Sequence, residues 1–381
     1  MDFSWSDGDL ALREAIVKFA ARELNEGLVE RDRKGEFSHE GWQKCAEFGI
    51  QGLPIPEEYG GRGVDILTTI LALEALGYGC RDNGLHFAIA AHMLSCEVPI
   101  WKFGSDEQKR RYLPKLCSGE WIGVHAMTEP DSGSDAFAMQ TRAERKGDRY
   151  VLNGRKTFIT SAPVADLLLI FASLDPTKGA RGITAFLVEK GTPGLVVGRE
   201  FEKMGLRTSP MGELVLEDCE VSAGQLLGKE GAGAAIFNTS MEWERSCIVA
   251  SQVGAMERQL ERCVRYARER RQFGKPIGKF EAISDKLAEM KVRLETARLL
   301  VYKVGWLKRH GKQAALEAAM AKLYVSECCV KSNLDAVQIH GGYGYMTEFE
   351  LERELRDSIA GTIYSGTSEI QRLIIAGCLG V

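Results

Sequence analysis

The hydrophobic period of this chain changes twice, and that change restricts the folds open to it more than any single motif does. From Asp7 to about Cys117 apolar residues recur at helical spacing, as in Leu10, Leu12, Ile16, Val17, Phe19, Ala20 and Leu24. After Trp121 a period of two takes over, with strand-like runs at 167–172, 183–188, 195–197 and 213–216 separated by glycine, proline and charged turns. Past Gly224 the helical period returns and holds to the end. The expected order is α, β, α, divided at 1–119, 120–222 and 223–381.

Within this frame the spacing predicts particular elements. Residues 67–78 and 85–103 read as two apolar helices. The second is apolar over most of its circumference through Phe87, Ile89, Ala90, Leu94 and Val98, so it is expected at the centre of its bundle. Ser105-Asp106-Glu107 offers a capped start for a short helix. Asn153-Gly154, between two period-two runs, predicts a strand, a tight turn and a second strand. Phe237, Met241, Ile248, Val253, Met256, Leu260 and Val264 mark one long helix, followed by two more over 283–310 and 317–339.

The 381 residues carry a formal net charge of -4 with 27% charged and 45% hydrophobic residues, which describes a globular chain without the basic field a nucleic-acid partner requires. Asp2, Asp7, Asp9, Glu14 and Lys18 interrupt any signal-peptide core, and no apolar run reaches membrane-spanning length, so a cytoplasmic protein is expected. Ten cysteines without a C-x-x-C pair are expected as buried thiols, and six histidines without ligand spacing predict no metal site.

Three stretches could hold a ligand. Gly231-Ala232-Gly233-Ala234-Ala235-Ile236 imitates a dinucleotide fingerprint, but Ile236 takes the third small-residue place and no strand precedes it in a βαβ unit, so a loop entering the long helix is expected. Gly341-Gly342-Tyr343-Gly344 reads locally as a sharp corner. Arg268 to Gly274 is either a charged helix end stabilised at the negative pole or an arginine fork for a pyrophosphate.

Four motifs in order resemble the acyl-CoA dehydrogenase flavoenzyme family. They are Ala126-Met127-Thr128-Glu129-Pro130 with Gly133-Ser134-Asp135; Asn153-Gly154 with Lys156 and Phe158-Ile159-Thr160; Arg270 with Phe273-Gly274; and Gln338 with Gly341-Gly342, continuing through Tyr364-Ser365-Gly366-Thr367 to Gln371. The resemblance implies an α+β fold with an N-terminal helical domain, a middle β-barrel-like domain and a C-terminal four-helix bundle, and it implies FAD and a homotetramer. Flavin contacts are implied at Ala126, Met127, Thr128, Gly133, Ser134, Phe158 and Thr160. Arg270, Phe273, Gln338, Gly342, Thr367 and Glu369 match positions for the pyrophosphate and adenosine end, several reaching across from a neighbouring subunit. Phe158 stands where many members carry tryptophan, which keeps an aromatic wall and removes an N–H donor. Ser134, Arg245, Tyr364 and Gly366 are implied around the substrate.

Many family members carry a catalytic glutamate where this chain has Ser365, and a serine hydroxyl is far too weak a base for the α-proton of a thioester. A subgroup resembling isovaleryl-CoA dehydrogenase places the glutamate on the long helix before an arginine, which here is Glu244 before Arg245. Glu242 and Glu244 differ by about 200° around a helix and cannot share a face. Glu244 falls on the apolar stripe of Met241 and Ile248, leaving Glu242 for Arg245 or solvent. The implied reaction is removal of the α-proton by Glu244 while a hydride leaves the neighbouring centre for the flavin, with backbone and flavin ribose donors polarising the thioester carbonyl. The chain resembles most the branch that oxidises prolyl groups on an acyl carrier protein in natural-product assembly. A short branched-chain acyl-CoA is the alternative substrate, and a catalytically silent flavin-fold scaffold the alternative of another class.

Overall fold

The computed structural model describes residues 4–381; residues 1–3, Asp2 among them, lie outside the described residues. The N-terminal part is helical: α1 (Asp7–Glu23), α2 (Leu28–Lys34), α3 (His39–Phe48), α4 (Ile66–Gly79), α5 (Asn83–His92), α6 (Val98–Phe103) and α7 (Asp106–Cys117). Asp65 caps α4 by accepting from the Leu67 and Thr68 amides at 2.8 and 3.1 Å. Ser105 and Gln108 form a capping box at α7. The long apolar helix expected over 85–103 forms with one irregularity, since Met93–Glu97 widens into a π turn between α5 and α6.

The middle part is an eight-stranded sheet in the order β6-β7-β3-β2-β4-β5-β8, with β1 (Gly123–Ala126) parallel to β4 (Leu167–Ser173). The path also contains β2 (Arg142–Lys146), β3 (Arg149–Thr160), β5 (Ile183–Glu189), β6 (Leu195–Glu200), β7 (Met211–Ser222) and β8 (Leu226–Leu227). Asn153-Gly154 is not the predicted tight turn. β3 runs straight through it with a register shift against β7, and the hairpin turn is Gly147-Asp148. Two long-range contacts explain the difference. The Asn153 side chain donates to the Asp218 carboxylate at 3.1 Å and accepts from the Asp218 amide at 2.8 Å, while a Cβ on Gly154 would come within 2.4 Å of Thr141 Oγ1.

The C-terminal part contains α8 (Gly233–Cys247), α9 (Ala250–Glu269), the ribbon β9 (Arg271–Gln272) and β10 (Lys275–Pro276), α10 (Glu281–Arg309), α11 (Ala315–His340), α12 (Gly342–Tyr345), α13 (Leu351–Ile359) and α14 (Ser368–Leu379). The single helix expected over 237–264 is two, broken at Ile248-Val249. Ser246 Oγ donates to the Glu242 carbonyl at 2.6 Å, a back-bond that bends a helix. α11 is central and packs against α8, α9, α10, α13 and α14. The helical parts join where α4 crosses α9. A Cβ on Gly77 would lie 2.0 Å from the Ser251 carbonyl, and one on Gly254 equally close to that of Glu74, so only glycines allow this backbone contact.

No described helix is long and apolar enough to cross a membrane. Among the described residues no group of three His, Cys, Asp or Glu could hold a metal ion. Nine cysteines are buried, and only Cys378 is exposed.

Two of the sequence motifs meet inside the β domain. Lys156 is fully buried and donates to the Met127 carbonyl at 3.1 Å and the Glu129 carboxylate at 2.8 Å. Glu129 also accepts from the amides of Gln140 and Thr141 at 2.6 and 3.0 Å. Burial holds the Lys156 ammonium down at about 8 despite the carboxylate, and burial acting on Glu129 is outweighed by Lys156 and its other donors, leaving it below the usual range. Replacing Glu129 with leucine strands a buried cation and is expected to cost roughly 3–5 kcal/mol in denaturant unfolding, whereas adding Lys156→Met recovers most of that loss. A single variant as stable as the parent contradicts this pairing.

Candidate active site

Glu244 and Met241 are buried on α8, and Ile248, just past its end, is buried too, as the helical phase predicts. Each carboxylate oxygen receives a hydroxyl: Ser95 Oγ donates to Oε2 and Ser365 Oγ to Oε1. Ser95 comes from the π turn and Ser365 from the loop before α14, so the carboxylate joins three elements distant in sequence. Glu242 faces away and pairs with Lys308 rather than with Arg245.

The loop Tyr364-Ser365-Gly366-Thr367 is held from several sides. Arg245 Nε donates to the Ser365 carbonyl at 3.0 Å, and Gln371 Nε2 donates to the Ser365 and Gly366 carbonyls at 3.1 and 2.9 Å. Lys322 Nζ donates to the Gly366 carbonyl at 2.6 Å. These contacts hold Ser365 at φ 56 and Gly366 at φ 91, the left-handed region that a serine seldom occupies. Burial, then the Arg245 charge, pulls the Lys322 ammonium down to about 8. Tyr364 OH accepts from Gln252 Nε2 at 3.1 Å, and its ring lies 4.7 Å from that of Phe87, closing the space beyond the loop.

The residues implied for the flavin fall into two groups in one chain, plus a third set apart. Ala126 ends β1, and Met127 and Thr128 run beside β3, where the Thr157 amide donates to the Thr128 carbonyl at 2.9 Å. A register shift between Lys156 and Ile159 accompanies Phe158 at φ 56, a residue 58% exposed whose ring lies 5.2 Å from that of Phe201. Thr160 ends the same strand, and Gly133-Ser134 form an exposed turn with open space around Gly133.

Of the second group, Arg270 and Gly342 line a cavity of about 630 Å³ together with Tyr266, Gln272, Gly341 and Tyr343, while Gln338 and Phe273 are not in its lining. Arg270 lies 5.6 Å from the centre of the Tyr343 ring, Gln338 is exposed near the end of α11, and Phe273 is 92% exposed on the ribbon turn. Thr367 and Glu369 form the third set. Thr367 caps α14, accepting from the Ile370 amide at 3.3 Å, and Glu369 is exposed. Their loop is anchored by Lys322, about 24 Å along α11 from Gln338 at the usual helical rise, so one chain does not bring them to the cavity.

Two residues of this site were outside the sequence expectations, and Gln371 was named only as the end of a motif, with no role. Ser95 lies in a run that reads as a largely apolar helix, and Lys322 and Gln371 act through backbone carbonyls that carry no local sequence signal.

Comparison with known proteins places these features in a family. The chain matches the acyl-CoA dehydrogenase N-terminal domain over residues 6–120, the middle domain over 125–219 and the C-terminal domain over 231–379. An L-prolyl-(peptidyl-carrier protein) dehydrogenase of Pseudomonas fluorescens is 45% identical over 377 residues, 99% of each chain. The crystal structure of the prolyl acyl carrier protein oxidase AnaB is similar with a TM-score of 0.98 at 53% identity, covering 99% of this chain and 100% of that one. The structure of PigA with FAD and proline matches with a TM-score of 0.98 at 43% identity, covering 100% of this chain and 99% of that one. The chain belongs to the acyl-CoA dehydrogenase family.

Proposed function

We propose that this protein is an FAD-dependent enzyme that oxidises a prolyl thioester carried on an acyl carrier protein, with Glu244 as the base. The observation that carries the chemistry is the buried carboxylate of Glu244, facing the Tyr364-Ser365-Gly366 loop where the family often carries its base. The substrate follows from full-length relatives that act on prolyl carrier proteins, at 45% identity for the dehydrogenase and 53% for the oxidase.

The residues present fit the cofactor. Phe158 offers an aromatic face with little packing of its own, Gly133 and Ser134 leave open room beside it, and Arg270 with Gly341 and Gly342 lines a cavity suited to a pyrophosphate. Bound FAD supplies the hydride acceptor. Glu244 takes the proton from the α-carbon, the adjacent centre gives up a hydride, and a double bond forms between them. Tyr364 and Phe87 wall the acyl pocket, and Arg245, through the Ser365 carbonyl, keeps the loop against the base. Thr367 and Glu369 stand apart from the Arg270 cavity, which supports a cofactor site shared between copies, a dimer at least and a homotetramer in the family pattern.

Replacing Glu244 with glutamine is expected to retain FAD while slowing anaerobic flavin bleaching by prolyl carrier protein about 10²–10⁴-fold. Bleaching at the parent rate would remove Glu244 from the role. In the same assay on the parent enzyme, prolyl carrier protein bleaches the flavin and isovaleryl-CoA does not; the reverse result would reassign the substrate, and no bleaching by either would point to a silent scaffold. Arg270→Ala, which removes a charged donor from the cavity, is expected to weaken FAD binding about tenfold in equilibrium dialysis. An unchanged affinity would place the pyrophosphate elsewhere.

A further inference from the structure

Serine hydroxyls meet both oxygens of Glu244, and they come from two backbone irregularities. Ser95 is in the π turn Met93–Glu97, and Ser365 is a non-glycine residue at φ 56. The left-handed conformation of Ser365 is held by Arg245 and Gln371 on its own carbonyl and by Lys322 and Gln371 on the next. Departures from regular backbone of this kind re-aim side chains.

A hydroxyl differs from every other donor near this base. It donates to a carboxylate and, by rotating, accepts from a carboxylic acid. The neighbouring cations have no such freedom: Arg245 on α8 and Lys322 on α11 can only donate, and both are engaged by backbone carbonyls. Tyr364 is the remaining ionisable group facing Glu244, and its hydroxyl is engaged by Gln252. On the π turn, Glu97 is paired with His92 at 3.0 Å. A glutamate at 365 would set a second carboxylate against the first, and two carboxylates in contact share one proton.

We propose that Ser95 and Ser365 are positioning residues that clasp the Glu244 carboxyl in one orientation in both its charged and its protonated form, before and after it takes the α-proton. This rests on Glu244 being the base.

The test is anaerobic flavin reduction by prolyl carrier protein, using FAD-loaded Ser95→Ala, Ser365→Ala and the double variant. The expected result is a limiting rate about tenfold lower for each single variant, with KM and FAD content unchanged. Ser95→Thr, which keeps the hydroxyl, should restore the rate. Ser365→Gly adopts φ 56 without strain, so it carries the test if Ser365→Ala does not fold. Parent rates in the alanine variants overturn the clasp, as does a Ser95→Thr variant as slow as Ser95→Ala. If Glu244→Gln is inactive while the serine variants are unaffected, only the clasp fails; if Glu244→Gln is fully active, the base assignment itself fails.

Discussion

A carboxylate removed from water must be met by donors, and the fold is arranged so that Glu244 is. Its partners arrive from the π turn after α5 and from the loop before α14, while the residue itself stands on α8. The π turn packs directly against α8, α11 supports both α8 and α14, and α4 and α9 cross at backbone contact through Gly77 and Gly254. The same α11 supplies Lys322, whose buried ammonium closes the loop on Gly366. Glu244 and its partners are thereby tied to the packing of the two helical parts.

The β domain has a different task. Lys156 and Glu129 form a buried pair that fixes the Ala126 to Thr128 segment against β3, so the residues implied for the flavin ring are presented together. Phe158 is turned outward by a bulge instead of joining the core. The Arg270 cavity and the Thr367 capped helix lie toward opposite ends of α11, and that separation within one chain is what makes the assembly part of the functional reading.

Much of this was legible in the sequence because it is written in local periodicity. The two changes of hydrophobic period mark the α, β, α order, and the helical phase of Glu244 against Met241 and Ile248 placed it on a buried face. The failures share a cause, which is dependence on partners far along the chain. Asn153-Gly154 has the composition of a tight turn, yet Asp218 and Thr141 turn it into a bulge within a continuous strand. The break at Ile248-Val249 contains neither glycine nor proline and follows a back-bond from Ser246. Ser95 is one polar residue in an apolar helix until the π turn aims it at Glu244. Ser365 is too weak a base to replace the usual glutamate, and its hydroxyl proves to be a partner of the Glu244 carboxylate.

The central claim is that Glu244 removes a proton from the carbon next to a thioester, a step separable from hydride transfer. The direct measurement uses a carrier-bound thioester whose neighbouring methylene is replaced by sulfur, so that no hydride can leave. Exchange of its α-hydrogen with deuterium is followed in heavy water by mass spectrometry. The account predicts exchange catalysed by the FAD-loaded parent enzyme and reduced to background by Glu244→Gln. Exchange at the parent rate in the glutamine variant would contradict it.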